Sequence, residues 1–507
     1  MSFLFKPKAW LFSVLAACIL LHTSCEKQLN KVSGAYAAEE LQWDNISDTR
    51  SSLMGAYGLL RAALFENNAH WMYGELRNGD LISYNRSDLS AINSQQLNAS
   101  FPLVQELTSW RKFYAVINAA SLLIERAPEV LEKDARYTAL NMRYDIAQAR
   151  VIRAFSYFNL CRIWGDVPLI TQSYDDASFQ ERPRTDYRSV LAYAENELLK
   201  AIDDLPFLYG VAPQSYYEMQ SGEWRKVLFN KLTAFSLLAH ISAWQGNYIN
   251  VDAYTGYILD HYNEIGITYL DNITNLSGIS GIFSTNYNAG QLLAINAGYV
   301  YGEATGSGHI EELTLATPLI SKQYPDLFIP KDTIVRAFDD QNDSRFGLDT
   351  ISGLTRTNYF TNYSGEIPIF SKIKIIRDGV TNGNYAVFGS NLIFTRMEEI
   401  TLLRAEALAV LGNQDEAITL LNRVKGQRNV RHYTRVSTTP LIVEIFNERR
   451  RELMGEGWRW YDQIRLNKIR PVDPAIVELI ENEGIYWPIA QEVLSRNSLL
   501  NQNEYWN

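Results

Sequence analysis

The segment Arg153–Ile170, RAFSYFNLCRIWGDVPLI, restricts the fold more than any other stretch of the 507-residue chain. Val151, Ala154, Phe155, Phe158 and Cys161 recur at helical spacing and make one apolar stripe; Tyr157, Leu160 and Trp164 make a second on another face. A helix that is apolar on two sides has to be covered on two sides, which predicts a central place in a helical stack. Gly165 permits a left-handed stop after Trp164, and Pro168 keeps the helix from restarting. Cys161 lies on the first stripe and reads as a small buried hydrophobe.

Other stretches carry the same helical period. Leu53, Tyr57, Leu60 and Leu64 share one face, as do Trp110, Tyr114, Ile117 and Leu122 up to Arg126. From Asp186 to Leu205, Val190, Tyr193, Ala194, Leu198 and Ala201 face one way, and Pro206 closes the helix. Two hairpins follow: Trp224–Trp244 with Val251–Tyr262 around Gly246-Asn247-Tyr248, and Arg396–Leu411 with Asp415–Arg428 around Gly412-Asn413. In the second, Gly412 and Ala417 have tetratricopeptide-type spacing, glycine for the turn and alanine for close approach. No regular 34-residue period joins the two, so helix pairs interrupted by insertions are expected.

Two stretches read differently. Residues 65–102 and 265–390 are rich in Asn, Ser and Gly, with short β-branched or apolar runs at Gln291–Ile295 and Phe370–Ile376 that predict small strands. Polar loops studded with aromatics are where a helical scaffold carries binding residues. Trp71, Tyr73, Tyr84, Tyr287 and Tyr301 are the candidates, chosen as aromatic rings in polar sequence suited to the C–H faces of sugars. Packing residues that pin the loops are the competing reading for each. Asp339–Asp343 lacks the glycine and closing glutamate of an EF-hand and reads as a solvated turn; no metal site is expected.

Near the C-terminus, Glu448–Arg465, ERRRELMGEGWRWYDQIR, alternates charges at i,i+3 and i,i+4, the pattern of a salt-bridged packing face. The closing Tyr486-Trp487-Pro488-Ile489-Ala490-Gln491 predicts an extended segment. At the other end, Lys6 and Lys8 precede a short apolar run, Leu11–Leu21, and then Cys25. That reads as a secretory leader over 1–24 with Cys25 as a lipidated first residue, although His22 stands where an aliphatic residue is usual. A formal charge of −10 without a long basic run argues against nucleic acid as a partner.

The ordered series of a lipoprotein-like start, RAFSYFNLCRIWGDVPLI, a helix ending at Gly246-Asn247-Tyr248, ERRRELMGEGWRWYDQIR and YWPIAQ with NQN resembles the SusD/RagB family of nutrient-uptake outer-membrane lipoproteins. Ala490 replaces a proline common in the closing motif. The resemblance implies a mainly α fold: an α-α superhelix of four tetratricopeptide-like helix pairs beside an irregular, loop-rich half with a few short strands. It implies one domain over 25–507, with an N-terminal part (25–264), a loop-rich insertion (265–390) and a C-terminal part (391–507). It also implies a cell-surface protein, lipid-anchored in the outer membrane, that captures an oligosaccharide, or in some members a peptide, for a SusC-like TonB-dependent transporter, with no cofactor. A glycan-degrading enzyme is the alternative of another class. No HExxH, G-x-S-x-G or P-loop supports it, and the histidines show no ligand-like spacing. A pure protein-interaction scaffold is a third reading.

Overall fold

Short polar residues start the helices. Asn45 and Asn230 each form a capping box, and Thr138, Asp186 and Asn247 each accept a backbone N–H of the first turn. A computed structural model describes residues 42–507 apart from 175–179, 212–215, 218–227, 285–288, 350, 352, 354 and 381–385. The leader, Cys25 and Tyr287 lie outside the described residues.

Eight helices form four consecutive pairs: α1 (Ile46–Phe65) with α2 (Arg111–Lys133), α3 (Ala139–Trp164) with α4 (Tyr187–Asp204), α5 (Lys231–Gln245) with α6 (Tyr248–His261), and α7 (Met397–Val410) with α8 (Gln414–Gln427). Each pair also packs on the next, which makes the α-α superhelix. Two further helices, α9 (Leu441–Glu452) and α10 (Arg459–Ile469), close its C-terminal end. The fold is the mainly α one expected.

The central helix is α3. It touches α1, α2, α4 and α5, and every residue from Val151 to Trp164 is buried. Phe155 meets Phe394 edge-on at 4.7 Å, Tyr157 meets Tyr193 at 5.8 Å, and the Trp164 indole donates to the Thr108 carbonyl at 3.2 Å. Cys161 is fully buried, as its stripe position predicts. Gly165 does take positive φ, but with ψ −119° it occupies the mirror-image extended region, not the left-handed helical one. A Cβ there would stand 3.0 Å from the Tyr486 ring, so glycine serves both the turn and the seating of the closing segment. That segment is extended: Trp487 donates its N–H to the Ile163 carbonyl at 2.7 Å, and Asn503 donates to the Trp487 carbonyl at 2.7 Å.

The insertion contributes only two-stranded sheets among the described residues. The longest pairs β1 (Gln291–Ile295) antiparallel with β2 (Leu392–Arg396), which runs straight into α7. Strand structure near residue 370 is split into Ile369–Phe370 and Ile376–Asp378, so the continuous run expected there is broken.

The charged segment is a packing face, as its alternation predicts, but its partners are mostly not local. Glu452 accepts from Arg345 at 2.9 Å and from Arg396 and Arg428 at 2.8 Å, and all four side chains are fully buried. Glu448 binds Arg345, Glu456 binds Arg396 and Lys372, and Arg449 bridges Glu399 and Asp462. Arg451 with Glu448 and Arg465 with Asp462 are i,i+3 pairs of the expected kind. Asp343 corrects the solvated-turn reading: it is buried and paired with Arg345 at 2.8 Å.

This network fixes an acid limb. Burial pushes the Glu448 carboxyl up, but Arg345, Arg451 and Lys425 outweigh it and hold it down to about 2, and Glu452 and Glu456 are depressed likewise. A depressed carboxylate contributes stability that is present above its unfolded value of 4.5 and lost as pH falls through the folded one, about 3 kcal/mol for Glu448 alone. Between pH 4.5 and 7 the shifts oppose one another. Burial raises Glu75 and Glu311 to about 7, which favours the fold at the lower pH, and lowers His70 and His309 to about 4, which favours it at the higher. Urea unfolding followed by near-UV circular dichroism is therefore expected to show little net pH dependence from pH 5 to 7 and a steep loss below 4.5. A stability that stays level down to pH 3 would contradict the network.

Candidate functional site

Trp71 and Tyr73 are buried in the core and not displayed in a loop, which corrects the sequence reading. The polar stretch after α1 is not a loop. It folds into tight turns, with Asn67 and Asn68 at φ 59° and 55°, a left-handed conformation asparagine tolerates, followed by a π-helical turn over Met72–Leu76. The turn carries both rings inward. Trp71 is 3% exposed, and its indole donates to the Gly455 carbonyl at 3.0 Å. Tyr73 is 6% exposed, donates to the Leu107 carbonyl at 2.7 Å and sits between Trp164 and Trp487. A ring with both faces packed and its polar atom bonded has nothing left for a sugar.

Tyr84 is half-buried, its ring 5.2 Å from that of exposed Tyr324 and 6.2 Å from Phe328. Tyr301 stands free. It ends a short turn, Tyr299–Tyr301, in which Tyr301 is 84% and Val300 89% exposed.

Beside that turn the surface is hollowed. A cavity of about 410 Å³ lies between the end of α1 and residues 302–309, lined by Arg61, Phe65, Glu66, Asn67, Glu106 and Glu303 among others. Through Asn67, Ser307 and Gly308 it continues into a narrower one of about 140 Å³ that holds Asn68, Arg86 and Glu312. Glu106 also lines a wider one of about 1060 Å³ between residues 97–115 and the closing segment around Pro488–Glu492. The three adjoin one another and are taken together as a trough; the exposed aromatic turn leads directly into its lining at Gly302 and Glu303.

The polar side chains in the trough are cross-braced. Arg61 pairs with Glu303, which also accepts the Gly298 N–H at 2.8 Å; Lys112 pairs with Glu66; and Arg111 lies 3.6 Å from Glu492. Arg86 binds Asp88 at 2.6 Å and lies 3.5 Å from Asp326. The Asn67 amide donates to Glu106 at 2.7 Å and the Asn68 amide to Glu312 at 3.0 Å. Amides, carboxylates and guanidinium groups held in place beside an aromatic turn can bind vicinal hydroxyls in a fixed geometry. Of the candidates among the described residues, none lines the trough itself: Tyr301 precedes its lining residues Gly302 and Glu303, and Tyr84 stands two residues from Arg86. Arg61, Asn67, Asn68, Glu106 and Glu303 escaped the sequence reading; the Asn67-Asn68 pair was the one visible signal.

Hydrolytic chemistry finds no foothold in the histidine that lines the trough. His309 Nδ1 lies 3.2 Å from the Ser390 hydroxyl, which donates to Glu311 at 2.8 Å. With that hydroxyl committed to the carboxylate, the imidazole is left to donate to it, the reverse of the polarity a general base needs. Among the described residues no group of three or more His, Cys, Asp and Glu could hold a metal ion, and no helix is long and apolar enough to cross a membrane.

Comparison with known proteins follows the same outline. Residues 53–263 match a family described as "Starch-binding associating with outer membrane", and residues 373–506 match the SusD family. A SusD superfamily protein of Bacteroides thetaiotaomicron, known from its crystal structure, is 47% identical, with 92% of this chain and 100% of that one covered and a TM-score of 0.85. A SusD-like protein of Formosa agariphila is 26% identical over 98% of this chain and 99% of its own. A laminarin-binding SusD-like protein, 19% identical, agrees in fold, with 91% of this chain and 99% of that one covered and a TM-score of 0.68.

Proposed function

The chain belongs to the SusD superfamily, and from that footing we propose that it captures a glycan at the cell surface and passes it to a SusC-like TonB-dependent transporter of the outer membrane. The observation that carries the reading is the trough, lined by Arg61, Asn67, Glu106 and Glu303, with the exposed turn Tyr299–Tyr301 leading into its lining at Gly302. Its openness suits an extended chain of sugars, and its carboxylates are each held by an amide or a cation, which favours fixed hydrogen bonding over proton transfer. A laminarin-binding protein among the structures of this fold supports the same ligand class. Lipidation of Cys25 would hold the protein at the membrane, facing the exterior.

Calorimetric titration of the soluble form starting after Cys25, against oligosaccharides and peptides, with each mixture checked for cleavage products, tests the proposal. Binding of a glycan without products supports it. Cleavage would replace it with an enzyme, and binding of peptides alone would move the ligand to the peptide class. Tyr301→Ala is expected to weaken glycan binding about three- to tenfold, the equivalent of about 0.5–1.5 kcal/mol for one aromatic contact, with the thermal midpoint unchanged because the ring packs on almost nothing. An unaltered affinity would remove Tyr301 from the site.

A further inference from the structure

We infer that the trough selects an uncharged glycan and discriminates against sulfated or uronic-acid chains, an inference that rests on the glycan-capture reading. Recognition of an anionic sugar needs a cation whose charge is not already spent. Among the described residues, every Arg and Lys lining the three hollows already faces a carboxylate. Arg61 faces Glu303, Lys112 faces Glu66, Arg111 faces Glu492, and Arg86 faces both Asp88 and Asp326.

The remaining charge is negative. Glu106 and Glu312 are held only by neutral donors, the Asn67 amide for the first and the Asn68 amide with the Gly308 N–H for the second. Among the described residues neither carboxylate has a cation within salt-bridge distance, so the trough keeps an excess of negative charge at its middle and at its narrow end. His309, the one other basic side chain in the lining, is buried, where the neutral imidazole is favoured. A sulfate or carboxylate entering here would meet two carboxylates and would compete with an existing carboxylate for every Arg or Lys described in the lining. A neutral sugar loses nothing by the same arrangement, because hydroxyls donate to carboxylates and accept from amides.

The test is calorimetry of the soluble full-length mature chain with size-matched neutral glucans, sulfated galactans and oligouronates at about 10 mM salt, where the screening length is about 30 Å and charge discrimination is greatest. Binding of a neutral series at least tenfold tighter than any anionic one, with little change as salt is raised, is the expected result. Equal or tighter binding of an anionic series, weakening as salt is raised, overturns the inference while leaving glycan capture standing. Silence toward all three series, or binding to peptides alone, overturns both.

Discussion

Glu452→Gln is expected to destabilise the fold by about 3–5 kcal/mol, the loss typical of breaking one partner out of a buried ionic cluster. The carboxylate ends α9 and is shared by Arg345, Arg396 and Arg428, with no solvent in reach of any of them. An amide there keeps one acceptor oxygen and points an N–H₂ group at guanidinium groups that can only donate. Three buried cations, whose charge holds the Glu452 carboxyl well below the usual range despite its burial, would also lose the anion they share. The arginines come from the insertion, the β2–α7 junction and the end of α8, so the change should loosen the insertion and the C-terminal helices together. As a control, Arg435→Ala breaks a surface pair with Asp415 and should shift stability by less than about 0.5 kcal/mol. Chemical unfolding of the three proteins side by side checks both numbers; equal midpoints would mean that the cluster contributes nothing to holding the insertion.

That cluster shows where the sequence is legible and where it is not. The kind of surface made by ERRRELMGEGWRWYDQIR can be read from its charge alternation, because period alone decides which residues share a helix face. Its partners cannot, because Arg345, Arg396, Arg428 and Lys372 are scattered singly along the chain and meet Glu452 and Glu456 only through the tertiary fold. Asp343 was misread for the same reason: beside four polar neighbours it looks solvated, and only Arg345, two residues on and buried with it, explains its place. The central helix α3 was legible because both of its stripes are written in local spacing. The trough was not, since its ion pair Arg61–Glu303 spans 242 residues and Asn68–Glu312 spans 244. Distances of that order follow from how helix pairs and insertion dock, which no window of sequence contains.

The aromatic candidates separate along the same line, and a pair of substitutions makes the separation measurable. Trp71→Ala is expected to cost about 3–5 kcal/mol of stability, the range for emptying a large aromatic site in a packed core. The ring is 3% exposed, meets Phe65 edge-on at 5.9 Å and His70 at 5.5 Å, and its indole N–H holds the Gly455 carbonyl at the glycine corner between α9 and α10. Removing it leaves a void and also frees a buried carbonyl, two effects that add. The neighbouring corner has little room to collapse into the gap, because a Cβ on Gly457 would already fall 2.2 Å from the His70 ring, and Gly74 is pressed against the Gly457 carbonyl. Affinity of the folded fraction for its glycan should nevertheless stay within about twofold, since Trp71 does not line the trough. Tyr301→Ala should do the opposite, weakening binding at an unchanged midpoint. Thermal unfolding and calorimetry on both variants therefore decide which of the aromatic rings in the two polar stretches hold the scaffold and which the ligand; a Trp71 variant of normal stability that fails to bind would return that ring to the site.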